Sequence, residues 1–350
     1  MILGISHSAD PVGSGGSTWV EDNWTRYLVP LYTNTDTIID RPSMGVDGNG
    51  VYIEAWVVGK PMALAALPKG PLTNDTAQIV QDQFILRDAS VGFGHVALGV
   101  NFDPVAAGDP EWILVGELSA ADIYCGSVVW DAEGKPSLSQ WASLPVTRSC
   151  DLLYNVVAPQ PGSSYGVDLG SDLAGSPQVT VRKIDGTQYL WWCRDVYVNA
   201  AGDADAGGGT PDRSAVECFK IQTAPSPTIA ETARINDDAA ADPMFYYYGS
   251  VAVSDKGDMV VGFSGSGADS YIGAYYWLAS MSKNTVGCLL PGKNWYGDGS
   301  QLARWGDYSR TALDPSDGAT VWTIQAYTEE RDPNYTYSHW ATRVAAITPY

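Results

Sequence analysis

One pattern recurs along these 350 residues. An alternating apolar run meets a tight turn built on Asp and Gly, and a second alternating run follows, which is the signature of a β-hairpin. Residues 40–56 turn on Asp47-Gly48-Asn49-Gly50, residues 248–263 on Asp255-Lys256-Gly257-Asp258, and residues 307–324 on Asp317-Gly318. Looser copies occupy 178–192, with Asp185-Gly186 at the turn, and 95–102 followed by 112–115. The five hairpins thus begin near residues 40, 95, 178, 249 and 307. Between them lie further strand-like runs, among them 127–130, 215–221 and 271–278, enough to complete four strands per unit. No stretch carries a capped apolar stripe at the helical period. An all-β chain that repeats a four-stranded antiparallel unit every ~40–80 residues is expected to be a β-propeller. We expect a single domain over 1–350, with six or seven blades in its complete form. A β-sandwich is the alternative, and it would not bring the same hairpin back in the same register.

Residues 2–7 and 24–32 read as two strands with no hairpin before them, so 1–35 is expected to be part of a blade entered halfway. Either the run 339–347 joins these strands to close the ring, or further sequence lies upstream. The first residues carry no basic region and no small-residue cleavage site, so they do not form a signal peptide. The longest strongly apolar stretch, 62–67, is far below the roughly 20 residues that cross a bilayer. Forty acidic side chains against twenty basic ones give a formal charge of −20. That field repels phosphate backbones and anionic lipid, so neither nucleic acid nor membrane insertion is expected.

Thirteen Trp and twenty Tyr against six Phe describe rings with a polar tip, suited to half-buried strands and to surfaces facing sugars or peptides. Thirty-one of the forty acids are Asp, which caps its own turn, so most of the acidity is turn chemistry. The most distinctive local cluster is Arg304-Trp305-Gly306-Asp307-Tyr308, a cation, two aromatics and a carboxylate at the start of an expected innermost strand. Stacking with a charge-assisted bond is how such a cluster holds a sugar or a peptide; the alternative is strand packing with Arg304 and Asp307 paired. Asp40 and Arg41 occupy the equivalent end of another hairpin. Asp40, Arg41, Arg304, Trp305, Asp307 and Tyr308 are therefore the expected ligand-binding residues. Asp40, Asp307 and Asp314 are the carboxylates that two-carboxylate glycoside chemistry would draw on, with turn capping the favoured reading of them. Tyr246-Tyr247-Tyr248 and Trp191-Trp192 are aromatic platforms if exposed and core if not.

Metal chemistry finds little footing. Asp203-Ala204-Asp205 imitates a calcium loop, but Ser214 stands where a bidentate Glu is needed, which leaves a looser set of Asp203, Asp205 and Asp212. The five cysteines, Cys125, Cys150, Cys193, Cys218 and Cys288, include no zinc spacing; Cys193 and Cys218 are a possible disulfide. His7, His95 and His339 stand in no catalytic motif. Three N-x-T triplets, at Asn23, Asn74 and Asn334, fall in turn-like sequence. No metal or other cofactor is expected beyond that loose calcium set.

The hairpins at 249–258 and 305–322 resemble those of sialidase-like, BNR-type propeller proteins exported by bacteria. The segment Ser6-His7-Ser8-Ala9-Asp10-Pro11 with Gly16-Ser17-Thr18-Trp19 resembles a stretched Asp-box, and Ser316-Asp317-Gly318-Ala319-Thr320-Val321-Trp322 is a second partial copy. The resemblance implies fold and an extracellular or cell-surface setting, the Asp-boxes being structural turns. A sialidase would also hold an arginine triad, drawn here from Arg41, Arg194, Arg304 and Arg343, yet Asp40-Arg41-Pro42 lacks the apolar residue of the Arg-Ile-Pro motif. The expectation is an extracellular recognition module that binds a glycan or a protein through its loop face. A sialidase-like hydrolase or lyase and a passive scaffold are the alternatives.

Overall fold

The computed structural model describes residues 1–6, 24–32, 39–72, 78–88, 95–106, 108–116, 122–147, 157–169, 175–203, 211–280, 285–297, 303–306, 308–330 and 338–349. Nearly all regular structure is β. β1 (Ile2–Ser6) pairs antiparallel with β2 (Trp24–Leu28). β3 (Ile39–Val46), β4 (Gly50–Val57) and β5 (Met62–Pro68) form an antiparallel meander. A short β6 (Gln78–Ile79) runs parallel on β2, and β7 (Ile85–Asp88) completes the meander on β5. The next meander is β8 (His95–Asn101), β9 (Glu111–Gly116) and β10 (Ile123–Trp130), with β11 (Pro136–Leu138) and β12 (Ala142–Leu144) sharing its outer edge. After a two-residue β13 (Val167–Asp168) comes a third, β14 (Gln178–Ile184), β15 (Thr187–Val198), β16 (Arg213–Gln222) and β17 (Thr228–Ile235). A fourth contains β18 (Phe245–Val253), β19 (Met259–Gly267), β20 (Ser270–Leu278) and β21 (Gly287–Leu290). β22 (Ala303–Arg304) lies parallel on β13, and a last antiparallel sheet holds β23 (Arg310–Leu313), β24 (Val321–Thr328) and β25 (Trp340–Ile347).

The leading strands of successive meanders stand side by side. β3 and β14 both run parallel to β8. Thr180 of β14 donates to the Val251 carbonyl of β18 at 2.8 Å, and the Ser250 and Thr311 hydroxyls join β18 to β23 at 2.8 Å. Each meander buries one face against the sheet before it and the other against the sheet after it. Tyr52, Leu64 and Ala66 meet Leu98, Ile113 and Val128; Leu114 and Cys125 meet Val181, Trp192 and Phe219; Trp191 and Val216 meet Val251, Phe263 and Trp277. Two-sided burial explains why β4 and β18 are buried along nearly their whole length instead of alternating. It also disposes of the two-layer sandwich, in which strands show one face to solvent.

The aromatic runs are core: Trp191, Trp192, Tyr246, Tyr247 and Tyr248 are all buried. The C-terminal strand does not join the N-terminal pair, because β25 ladders on β24 and β1 on β2, with no ladder between the two sheets among the described residues. Cys193 and Cys218 face each other across β15 and β16 as buried free thiols. No helix among the described residues is long and apolar enough to cross a membrane.

Candidate functional site

The segment before β23 is pinned by Trp305. This side chain is 3% exposed, its indole N–H donates to Ser264 Oγ at 3.2 Å, and its ring meets Tyr296 edge-on at 4.9 Å and 86°. Burying Trp305 leaves Arg304 and Tyr308 on the surface to either side, Tyr308 being 47% exposed. Ser309 then hooks the chain onto β18, its hydroxyl donating to the Tyr248 carbonyl at 2.6 Å.

Opposite this segment lies the open face of β24 and β25, where Trp340 is 61% exposed and Ile324 sits across from Arg310 and Val344. Between the two walls is a cavity of about 650 Å³ lined by Tyr296, Arg304, Trp305, Tyr308, Arg310 and Trp340 among others. That volume suits a small ligand or a short segment of a polymer. Arg310 opens β23 and lines the cavity, and among the described residues its guanidinium makes no hydrogen bond or ion pair. Burial lowers its pKa to about 10, so it remains a cation at neutral pH. No Asp or Glu lines the cavity among the described residues.

Of the six residues singled out in the sequence, Arg304, Trp305 and Tyr308 thus share one cavity, with Trp305 as its anchor. Asp307 lies outside the described residues. Asp40 and Arg41 are elsewhere: Asp40 Oδ1 accepts the Arg41 N–H at 2.8 Å, and the Arg41 guanidinium stacks 5.7 Å from the Trp56 ring. The four arginines considered for a triad sit on separate elements, and Arg194 is turned inward onto Glu217, with Nε to Oε2 at 3.0 Å. Asp314 is a turn residue that accepts from Ser316 and from Trp322 Nε1 at 2.9 Å. Its neighbour Asp317 takes the N–H groups of Ala319 and Thr320, both at 2.9 Å. These bonds to the ionised form hold both carboxylates below their usual pKa. Asp203 stands 3.7 Å from Arg234 and Asp212 pairs with Arg213 at 2.8 Å, so both already answer a cation from the protein; Asp205 lies outside the described residues. The residues that sequence reasoning missed are Arg310, Tyr296 and Trp340. Arg310 was within reach, two positions past the cluster, but Trp340 reaches the cavity only through the β24–β25 register.

No family model matches the chain, and no curated protein matches it in sequence. Solved structures similar to it include a neuraminidase-like protein of A/little yellow-shouldered bat/Guatemala, at 9% identity over 89% of this chain and 83% of that one, with a TM-score of 0.35. An endo-arabinase from Bacteroides thetaiotaomicron matches at 9% identity over 92% and 96%, with a TM-score of 0.38. Trypanosoma rangeli sialidase in complex with the inhibitor DANA matches at 10% identity over 88% and 55%, with a TM-score of 0.31. Likeness at this level assigns the chain no activity.

Proposed function

We propose that this chain is a recognition module of the β-propeller type that binds a glycan in the cavity between the Arg304–Tyr308 segment and the β24–β25 face. The observation that carries the reading is the composition of the walls. Tyr296, Tyr308 and Trp340 offer rings for the apolar faces of sugars, and Arg310 offers donors that no group among the described residues uses. Glycoside hydrolysis would require two carboxylates across the cleft, and the described lining contributes none. The propeller reading is supported by meanders that pack in chain order with their leading strands abreast. An extracellular or cell-surface setting goes with it, since that is where a glycan-binding surface meets its ligands.

The test is a glycan array read alongside a panel of chromogenic glycosides, with the wild type, Arg310→Ala, Trp340→Ala and Asp307→Ala. Binding that drops tenfold or more in the Arg310 and Trp340 variants, with no turnover by any protein, is the expected result; tenfold corresponds to about 1.4 kcal/mol. Turnover that disappears in Asp307→Ala would replace the binding module with an enzyme. Neither binding nor turnover would leave a scaffold.

A further inference from the structure

Behind the cavity wall lies a second, smaller space. Asp195 of β15 is 4% exposed, and its carboxylate accepts the Tyr248 N–H at 2.6 Å and the Gly249 N–H at 3.4 Å. Both amides come from a bulge in β18, where the ladder skips from Tyr247 to Ser250 and Tyr248 takes φ 55°. A tyrosine in the left-handed region is strained and persists only where its surroundings hold it. Here the Tyr248 hydroxyl donates to the Leu169 carbonyl at 2.9 Å, and its own carbonyl accepts from Ser309. Beside the carboxylate is a chamber of about 20 Å³ whose lining includes Ser176, Asp195, Tyr248, Tyr308 and Ser309. It has room for one water or one hydroxyl group. Tyr308 and Ser309 also line the large cavity, so the two spaces share a wall.

We propose that this chamber is an inner subsite of the cavity, in which Asp195 holds one hydroxyl or one water and binds its proton in step with the ligand. The inference rests on the glycan reading for its ligand. Among the described residues, no charged group faces Asp195. From β16 the residue opposite is Val216, while Arg213 and Glu217 belong to the other face of that strand. β18 contributes Tyr247 and Tyr248, β15 itself contributes Cys193, the described residues of the 303–309 segment contribute Tyr308, and residues 175–177 contribute nothing titratable. Burial therefore dominates, and against the opposing pull of the two amides it raises the Asp195 pKa to about 7. A ligand that seals the chamber from bulk water disfavours the carboxylate further and so favours the protonated form. By linkage, affinity then falls as pH rises through that pKa, by at most about tenfold per pH unit for one proton.

Asp195→Asn keeps an oxygen for the Tyr248 amide but cannot titrate. Binding of the best array glycan, measured by calorimetry from about pH 5 to about pH 8, should weaken with pH in the wild type and stay level in the variant. Infrared difference spectra of the ligand-free wild type should show a protonated carboxyl band, absent from Asp195→Asn, that disappears near neutral pH. Wild-type affinity that is level with pH, or parallel profiles in the two proteins, would overturn the inference and leave the glycan reading intact. Binding of no glycan at any pH would overturn that reading instead, and the infrared band would then decide: titration near neutrality sustains Asp195 as the proton carrier, and a carboxylate at every pH ends it.

Discussion

Glu217 is the buried anion between two buried cations. Its two oxygens face Arg194 and Arg234, and all three side chains are at most 2% exposed. Arg234 also donates to the Gly202 carbonyl at 2.6 Å, and Arg194 lies 5.2 Å from the Phe219 ring. Two cations share one anion in a dry interior, so replacing the anion takes a facing carboxylate from each, with Asp203 still 3.7 Å from Arg234. Glu217→Gln preserves shape and removes the charge, and it should cost about 3–5 kcal/mol in urea unfolding. A loss under about 1 kcal/mol would mean that water reaches the guanidinium groups. A second set of buried acids points the other way. Burial raises Glu54 to about 8 and Asp195 to about 7, and it lifts Glu111 well above the carboxylate range with help from the Asp47 charge. A carboxyl group whose pKa is higher folded than unfolded keeps its proton in the native state between the two values. Its stabilising contribution is complete below the unfolded pKa near 4 and declines as pH rises toward the folded value, by up to about 1.4 kcal/mol per unit of difference. The melting temperature should therefore decline from about pH 4.5 to about pH 8, and Glu54→Gln should flatten the upper part of that slope. A melting temperature that climbs across this window would contradict the assignment of these protons.

At the scale of elements, the packing between the fourth meander and the last sheet turns on a close approach at Gly262. A Cβ there would run into Thr323 Oγ1 and Gln325 Nε2. Those atoms belong to a hydrogen-bonded chain of buried side chains, with Thr311 to Thr323 at 2.9 Å, Gln325 to Thr323 at 2.9 Å and Gln325 to Ser250 at 3.3 Å. Gly262→Ala should cost about 1–3 kcal/mol by overpacking, and combining it with Thr323→Ala should cost less than the two separate losses together. Strict additivity in calorimetry would show that the sheets do not meet there. The hairpins themselves were legible, because period-two alternation ending on Asp-Gly leaves the chain few other options. Even an irregularity repeats: β3 bulges between Asp40 and Ser43 with Arg41 at φ 51°, as β18 does around Tyr248. In both, the strained residue precedes a serine by two positions, in phase with the sequence repeat. What stayed hidden depends on which sheet faces which. Val321–Thr328 alternates like any half-buried strand, and nothing in it says that Trp322 and Ile324 find no covering sheet. Asp195 sits in an apolar run after Trp191-Trp192 and reads as one core polar residue among several. Only the bulge in another strand gives it amides and a chamber.

Across the whole molecule, a charge of −20 surrounds a cavity whose described charged groups, Arg304 and Arg310, are both cations. The two fields act over different distances. The summed negative charge reaches an approaching ligand through solvent over about one Debye length, roughly 30 Å at 0.01 M salt and 8 Å at 0.15 M. A guanidinium lining the cavity acts at contact, where salt screens less. A neutral oligosaccharide feels only the second, and its affinity should hardly change with ionic strength. A singly charged acidic sugar feels both: repulsion at long range slows its arrival, and Arg310 rewards it once seated. Adding salt removes the first faster than the second. The association rate of an acidic sugar should therefore rise several-fold from about 0.01 M to about 0.15 M salt, with little change in its dissociation rate. Stopped-flow quenching of the cavity tryptophans measures both rates. An association rate that falls with salt would mean that the local cations already dominate the approach path, and the net charge of the chain would then have no part in selecting the ligand.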